Sequence, residues 1–268
     1  MGNNSLAQNV VIITGASAGI GKELALQLAK QGAWLSLGAR NAGRLEEVAK
    51  ECRQLGAKAL VVPTDVAEKE QCLLLIEKTV QEYGRIDTLV NNAGITMWAL
   101  FEDVKDLALL ERIMQVNFFG SVYCTYYALP HLKKSRGRIV GVASLTGKTG
   151  VPTRTVYSAS KHAMAGFFDS LRIELAGSGV SVTLIFPGFV STDIRERAIN
   201  GEGKPLEESP LPENEMMPVE RCVNIIVRAM QERKREVVMT ARGKIGIWLK
   251  LIAPGLVDNI ASKAIEKG

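Results

Sequence analysis

Short runs of apolar, often β-branched residues recur along this chain, and each is followed by a longer stretch whose apolar positions repeat at helical spacing. Val10-Val11-Ile12-Ile13 reads as a buried strand, and Leu24 and Leu28 then mark one face of a helix over residues 22–30. Residues 33–37 predict a second strand and 45–55 a second helix. Further strands are expected over 59–62, 86–90, 138–142, 180–186 and 236–239. Helices fill the gaps, over about 68–83, about 104–116 running on to about 135, 155–177 and 218–231. Continuous apolar strands separated by helices imply parallel strands covered on both faces, joined by right-handed crossovers. The expected fold is a Rossmann-like, doubly wound α/β sheet of about seven strands, one domain over residues 1–268.

The rhythm fails once. Residues 201–218 hold four of the nine prolines and five glutamates, with almost no apolar periodicity. So long a break inside a compact domain reads as a lid or a loop excursion. It follows the sixth strand, on the carboxyl edge where α/β sheets bind ligands, so a lid is expected over about 190–218. Near the end, Ile245-Gly246-Ile247-Trp248-Leu249-Lys250-Leu251-Ile252-Ala253 is apolar but short, and Pro254-Gly255 breaks it.

Charge sharpens the reading of that tail, about 241–268. From Arg228 onward there are nine Lys/Arg against four Asp/Glu, which accounts for the whole net charge of +5. No recognition element gathers these cations with base-reading partners, so nucleic acid is not an expected partner. A membrane surface, a lipid-like ligand or a neighbouring subunit suits a basic, apolar tail better. No apolar run approaches the roughly 20 residues of a spanning helix. Residues 1–8 are polar and uncharged, unlike a secretory signal. Cys52, Cys72, Cys124 and Cys222 are widely spaced and only two histidines are present, which argues against a disulfide framework and against a metal site. A cytoplasmic protein, with possible peripheral membrane contact through the tail, is the resulting expectation.

The candidate chemistry begins between the first strand and helix, in Thr14-Gly15-Ala16-Ser17-Ala18-Gly19-Ile20-Gly21. Glycines there let the backbone approach a pyrophosphate, and the helix N-terminus offers free N–H groups, so Gly15, Ser17, Ala18, Gly19, Ile20 and Gly21 are candidate cofactor contacts. The spacing is G-x-x-x-G-x-G, not the general G-x-G-x-x-G fingerprint. Gly15 to Gly19 also spell G-x-S-x-G, the nucleophile elbow of hydrolases. That reading needs earlier strands and a placed histidine, and only His131 and His162 are available. After the second strand stands Arg40-Asn41, where an acidic residue would favour NAD. An arginine there can pair with a 2′-phosphate, which favours NADP (NADPH) over NAD. Asp65-Val66 follows the third strand, where Asp65 can accept from an adenine amino group or serve as an N-cap. Asn92-Ala93-Gly94, in the small-residue turn after the fourth strand, can let a ribose or adenine lie against the backbone.

Tyr157-Ser158-Ala159-Ser160-Lys161 places a phenol and an ammonium four apart on a helix, hence on one face. A nearby ammonium favours phenolate and so lowers the tyrosine pKa towards the range a general acid needs. Ser144, thirteen residues earlier at a strand end, can hydrogen-bond a substrate oxygen. Asn117 interrupts the long fifth helical segment, either as an irregularity held by water or as plain core polarity.

Taken in order, Thr14–Gly21, Asp65, Asn91–Gly94, Asn117, Ser144, Tyr157, Lys161, Pro187-Gly188 and Thr192 resemble the short-chain dehydrogenases/reductases of the single-domain branch, over residues 10 to about 240. Residues 112–117 with Phe119-Gly120, 157–168 and 249–261 are similar to its lipid- and steroid-active reductases, the dehydrogenase/reductase member-7B type among them. The resemblance implies that Tyr157 donates a proton to a carbonyl oxygen, Lys161 holds the nicotinamide ribose and lowers the Tyr157 pKa, Ser144 positions the oxygen, and Asn117 supports a water in the relay. It places Pro187, Gly188, Val190 and Thr192 around the nicotinamide amide. Ala18 stands where many NADP-using members carry Lys or Arg, so cofactor choice rests on Arg40. An NADPH-dependent carbonyl reductase of a small hydrophobic carbonyl or alcohol substrate is expected, as a homodimer or homotetramer joined through the 104–135 and 155–177 helices. A cofactor-binding regulatory or scaffold protein without turnover is the alternative.

Overall fold

Alternate residues of each strand point to opposite faces, and here both faces are greasy, so helices must cover both. The computed structural model describes residues 6–192, 194, 197–208 and 216–266. Its seven strands are β1 (Val10–Thr14), β2 (Trp34–Ala39), β3 (Ala59–Pro63), β4 (Thr88–Asn91), β5 (Arg138–Val142), β6 (Ser181–Phe186) and β7 (Glu236–Val238). They form one parallel sheet in the order β3-β2-β1-β4-β5-β6-β7, the expected Rossmann-like doubly wound arrangement. Between them run α1 (Gly19–Lys30), α2 (Ala42–Gln54), α3 (Lys69–Tyr83), α4 (Leu107–Met114), α5 (Gly120–Ser135), α6 (Thr155–Glu174) and α7 (Val219–Gln231).

Val11 and Ile13 join Leu24 and Leu28 of α1, Leu45 of α2 and Ile226 of α7 in one buried layer. Ile12, between them, joins Leu75 of α3, Leu132 of α5 and Phe168 of α6 in the other. Strand order reverses between β1 and β4, which both pair through Ile12 and Ile13. That switch point opens a crevice at the carboxyl edge of the sheet.

Three expectations are revised. The second helix starts at Ala42 rather than Leu45, because Asn41 Oδ1 accepts the Arg44 N–H at 2.9 Å and caps it. The long 104–135 segment is two helices joined by a π turn over Gln115–Phe119, centred on Asn117. The tail holds two helices, α8 (Ala241–Ile252) and α9 (Pro254–Glu266). Thr240 Oγ1 caps α8 by accepting the Gly243 N–H at 3.0 Å. Pro254 opens α9, the first helical position, where a missing N–H costs nothing.

Residues 193, 195, 196 and 209–215 of the expected lid lie outside the described residues. Short bridges hold its described parts, Val190 with Met217 and Ile199 with both Met97 and Pro205. No helix among the described residues is long and apolar enough to cross a membrane.

Candidate active site

The turn between β1 and α1 is locked to the end of β4. Thr14 Oγ1 donates to Val90 O and accepts the N–H groups of Asn92 and Ala93, both at 3.0 Å. Asn92 Nδ2 donates in return to Thr14 O at 2.9 Å and Gly15 O at 3.3 Å. Asn92 thus holds the turn in shape with its side chain. Gly15 sits at φ +67°, and a Cβ on Gly21 would lie 2.3 Å from Gly15 O. Neither site tolerates a side chain without moving backbone. The N-cap of α1, Ala18, supplies no side-chain hydrogen bond, so the first-turn N–H groups stay available at the groove. Ser17, Ala18, Gly19, Lys22, Arg44 and Thr192 line that groove. An uncapped helix N-terminus over a tight glycine turn fits a pyrophosphate.

Arg40 is exposed beyond β2, and Asn41 is spent as the α2 cap. Arg44 joins the groove because α2 starts early enough to place it there, a residue that the later helix start concealed. Lys22 is paired with Glu51 at 2.8 Å. Asp65 accepts the Ala67 N–H at 3.0 Å and the Arg112 guanidinium at 2.5 Å. The first of these is a local turn, not a helix cap, since α3 begins at Lys69. Partial burial pushes the Asp65 carboxyl up, but those two partners and Arg40 outweigh it and hold it below the usual carboxylate range. Arg112 comes from α4, 47 residues away, and no short-range sequence signal announces it.

The candidate chemical groups gather on α6. Tyr157 and Lys161 are both buried there, with Lys161 Nζ 5.8 Å from the phenol ring centroid. Lys161 Nζ donates to Val142 O at 3.0 Å, and burial lowers its pKa to about 8. A Cβ on Gly94 would lie 3.2 Å from Asn117 Oδ1 and 3.6 Å from Lys161 Nζ, so Gly94, Asn117 and Lys161 converge. Asn117 Oδ1 accepts the Ile95 N–H at 2.9 Å, while Nδ2 donates to Ile95 O at 3.0 Å and Ser160 Oγ at 2.9 Å. The π turn is therefore pinned to the chain after β4 and to α6.

Ser144, at the end of β5, accepts the Thr146 N–H and lies beside the phenol. The net displacement of the Tyr157 pKa is upward, against the expectation from Lys161. Burial pushes the phenol up, and the Arg154 charge and the Ser144 hydrogen bond pull the other way without overcoming it. Arg154 was not singled out in the sequence, although it stands three residues before Tyr157, a spacing that places two side chains together in a helix.

Pro187 O accepts the Leu145 N–H at 2.9 Å, and Gly188 approaches Thr240. Val190 is buried on its bridge to Met217, and Thr192 reaches the glycine groove. Val66 is buried in the α3–α5–α6 layer. The sequence-selected residues thus fall along one edge of the sheet, from Arg40 to Tyr157. His162, the histidine a hydrolase would need, has its Nδ1 2.9 Å from Ser158 O, on α6 itself.

A sequence profile described as "short chain dehydrogenase" matches residues 9–203. The chain is 39% identical over 253 residues to 11-beta-hydroxysteroid dehydrogenase-like 2 of Arabidopsis thaliana, covering 93% of this chain and 79% of that protein. It is 38% identical over 263 residues to 11-beta-hydroxysteroid dehydrogenase A of Arachis hypogaea, covering 96% and 75%. Among solved structures, an alcohol dehydrogenase from Thermococcus sibiricus complexed with 5-hydroxy-NADP superposes with a TM-score of 0.74 at 26% identity, over 85% of this chain and 94% of that one. A short chain dehydrogenase/reductase from Burkholderia phymatum in complex with NAD shares the fold, with a TM-score of 0.84 at 23% identity over 95% and 96% of the two chains. Sheet order, glycine turn and sequence kinship agree: the chain belongs to the short-chain dehydrogenase/reductase family of oxidoreductases.

Proposed function

We propose that this protein is an NADPH-dependent oxidoreductase that reduces a ketone or aldehyde on a hydrophobic, lipid- or steroid-like substrate, with Tyr157 as the acid and base. The observation that carries the reading is the burial of Tyr157 and Lys161 together on α6, beside Ser144 and facing Gly94 at the carboxyl edge. When bound, the nicotinamide cofactor supplies the hydride. Gly15, Ser17, Ala18, Gly19, Ile20 and Gly21 would hold its pyrophosphate, Asp65 and Val66 its adenine, and Asn92, Ala93 and Gly94 its adenosine ribose. Pro187, Gly188, Val190 and Thr192 would border its amide.

In this mechanism Tyr157 Oη gives its proton to the carbonyl oxygen, which Ser144 Oγ orients. Lys161 Nζ would hold the nicotinamide ribose and favour the phenolate that remains. Asn117 keeps its place in the π turn and supports a water in the path that returns a proton to Tyr157. Arg40, exposed and with Arg44 nearby in the groove, supports a preference for a 2′-phosphate and so for NADPH over NAD.

The hydrophobic substrate is supported by the steroid dehydrogenase names of the relatives and by the placement of α8. Gly243 packs on Leu145, one residue from Ser144, and Lys250 Nζ donates to Lys148 O at 3.1 Å. The tail therefore lies beside the site. In this reading one domain carries a lid over about 190–218 and the tail at the entrance. Exposed Phe119 at the end of the π turn, Tyr126 on α5 and Ile173 on α6 support a homodimer or homotetramer through those helices. Exposed Ile245, Trp248, Leu251 and Ile252, beside Arg242 and Lys244, support a cytoplasmic protein that touches a membrane surface peripherally.

The test is NADPH oxidation against ketones and aldehydes graded in chain length, with NADH and Tyr157→Phe alongside. Turnover that rises with chain length, prefers NADPH and vanishes in the variant is expected. Tight NADPH binding with no turnover of any substrate would favour a binding or scaffold role.

A further inference from the structure

Three segments distant in sequence meet at the N-terminal end of α6. The chain after β4 brings Thr96 and Trp98, the loop after β6 brings Phe189, and α6 brings Tyr157. The Arg154 guanidinium lies among them, 4.6 Å from the Trp98 ring centroid, 5.6 Å from that of Tyr157 and 5.8 Å from that of Phe189. Arg154 is only 6% exposed, and its Nη1 donates to Thr96 Oγ1 at 3.4 Å. Its backbone is fixed as well, since Arg154 is the N-cap of α6 and its carbonyl accepts the Ser158 N–H at 2.8 Å. The neighbouring Thr153 O accepts the Ala99 N–H, and Trp98 N–H donates to Ile199 O, so the cage is stitched to the base of the lid.

We propose that Arg154 is a positioning residue for the proton donor, a caged cation held against Tyr157 that favours its phenolate and that Trp98 and Phe189 keep in place. Lys161 lies at nearly the same distance from the ring centroid, 5.8 Å, but its ammonium is directed to Val142 O at the end of β5. Two cations therefore bracket one phenol, and only Lys161 belongs to the family's reaction as set out above. The inference rests on Tyr157 being the proton donor.

Among the described residues, the other charged groups considered do not offer the same service. On α4, which packs against α6, Arg112 is paired with Asp65 and Glu111 is exposed. Arg197, in the described part of the lid, is exposed. The Ser144 hydroxyl favours the phenolate by hydrogen bonding and carries no charge. Burial acts against ionisation, and the Arg154 charge acts for it.

The experiment compares Arg154→Met and Arg154→Lys with the parent, reading the pH profile of kcat/KM for carbonyl reduction and the ultraviolet absorbance of the Tyr157 phenolate, taken as a difference from Tyr157→Phe. A general acid must be protonated, so the rate falls as pH rises through its pKa. Removal of a cation at this range is expected to move that alkaline fall, and the phenolate titration, upward by about one pH unit in Arg154→Met. Arg154→Lys, which keeps the charge and loses the planar stacking, should leave both near their parental position. A rate loss in Arg154→Met equal at every pH, with the titration unmoved, would overturn the proposal and make Arg154 a packing link between lid and helix. So would a Lys variant that shifts as far as the Met variant. The two claims fail separately: a Tyr157→Phe protein that keeps its turnover sinks the acid–base reading, whereas the phenolate titration judges Arg154 without any turnover.

Discussion

Lys161→Met should make the cofactor-free protein more stable at neutral pH while removing its activity. The ammonium is 3% exposed, has one hydrogen-bond acceptor in Val142 O, and its pKa is lowered by burial from the ordinary 10.5 to about 8. At about 1.4 kcal/mol for each pH unit, that displacement is about 3 kcal/mol of destabilisation in the charged state. Removing the ammonium also removes its bond to Val142 O, which returns about 1 kcal/mol of the gain. The net expectation is about 2 kcal/mol, or a rise of roughly 4–8 °C in Tm for a domain of this size. The sign depends on pH in a definite way. Below about 8 both folded and unfolded chains carry the charge, and the whole cost is present. Between about 8 and 10.5 the unfolded chain binds the proton and the folded chain does not, so parental stability rises relative to the variant. Above that window the cost is gone. Urea unfolding of both apo proteins across that pH range gives the answer. A variant less stable than its parent at neutral pH, or a gap that does not narrow as pH rises, would refute the reasoning.

Gly21→Ala puts a methyl 2.3 Å from Gly15 O, so the glycine turn must open; isothermal titration should show NADPH affinity down by at least about tenfold, the effect of one misplaced charge-assisted bond. Arg40→Asp should raise the KM for NADPH about 10- to 100-fold, the worth of a charged hydrogen bond lost, and leave the KM for NADH unchanged or lower. Deleting residues 243–268 should keep cofactor affinity and weaken long-chain substrates selectively; equal loss for short and long substrates would count against a tail at the entrance. Burial pushes the Cys52 thiol up to about 11 and the Cys222 thiol up to about 12, and Cys124 is raised by its contact with Cys72 and by burial. A thiol reagent should therefore find no fast-reacting cysteine in the native protein and all four after unfolding.

The sheet was legible because its strands are written twice over, as apolar runs and as alternation between two buried layers. Val10-Val11-Ile12-Ile13 states both, and the expected start of β1 at Val10 matches the structure. What stayed hidden depended on single local bonds or on distant partners. Asn41 moved the start of α2 through one side-chain acceptor. Asn117 was visible as an irregularity, but the π turn that resolves it is shaped by Ile95 and Ser160, contacts of 22 and 43 residues' separation. The tail escaped as a helix pair because Pro254 reads as a break, whereas at the first position of a second helix it serves as a beginning. Arg112 and Arg154 escaped because nothing near them in sequence names Asp65 or Trp98 as a neighbour.

Burial of charge gives an independent route to the same site. Among the described residues, three charged side chains are buried: Asp87, Arg154 and Lys161. An interior charge is costly unless its neighbourhood compensates it. Asp87 is compensated in an evident way, accepting the Val10 N–H at 2.9 Å and pairing with Arg85 at 2.5 Å, at the end of the sheet opposite the crevice. The other two flank Tyr157: the Arg154 guanidinium lies against three aromatic rings and donates to Thr96 Oγ1, and the Lys161 ammonium donates to Val142 O. Stability alone does not select such an arrangement, because an apolar residue at position 161 is expected to fold better. Two costly cations around one buried phenol make sense if the phenol must give up a proton in a place where burial opposes it. Electrostatics on α6 thus supports the proposed site even without the motif that first drew attention to it.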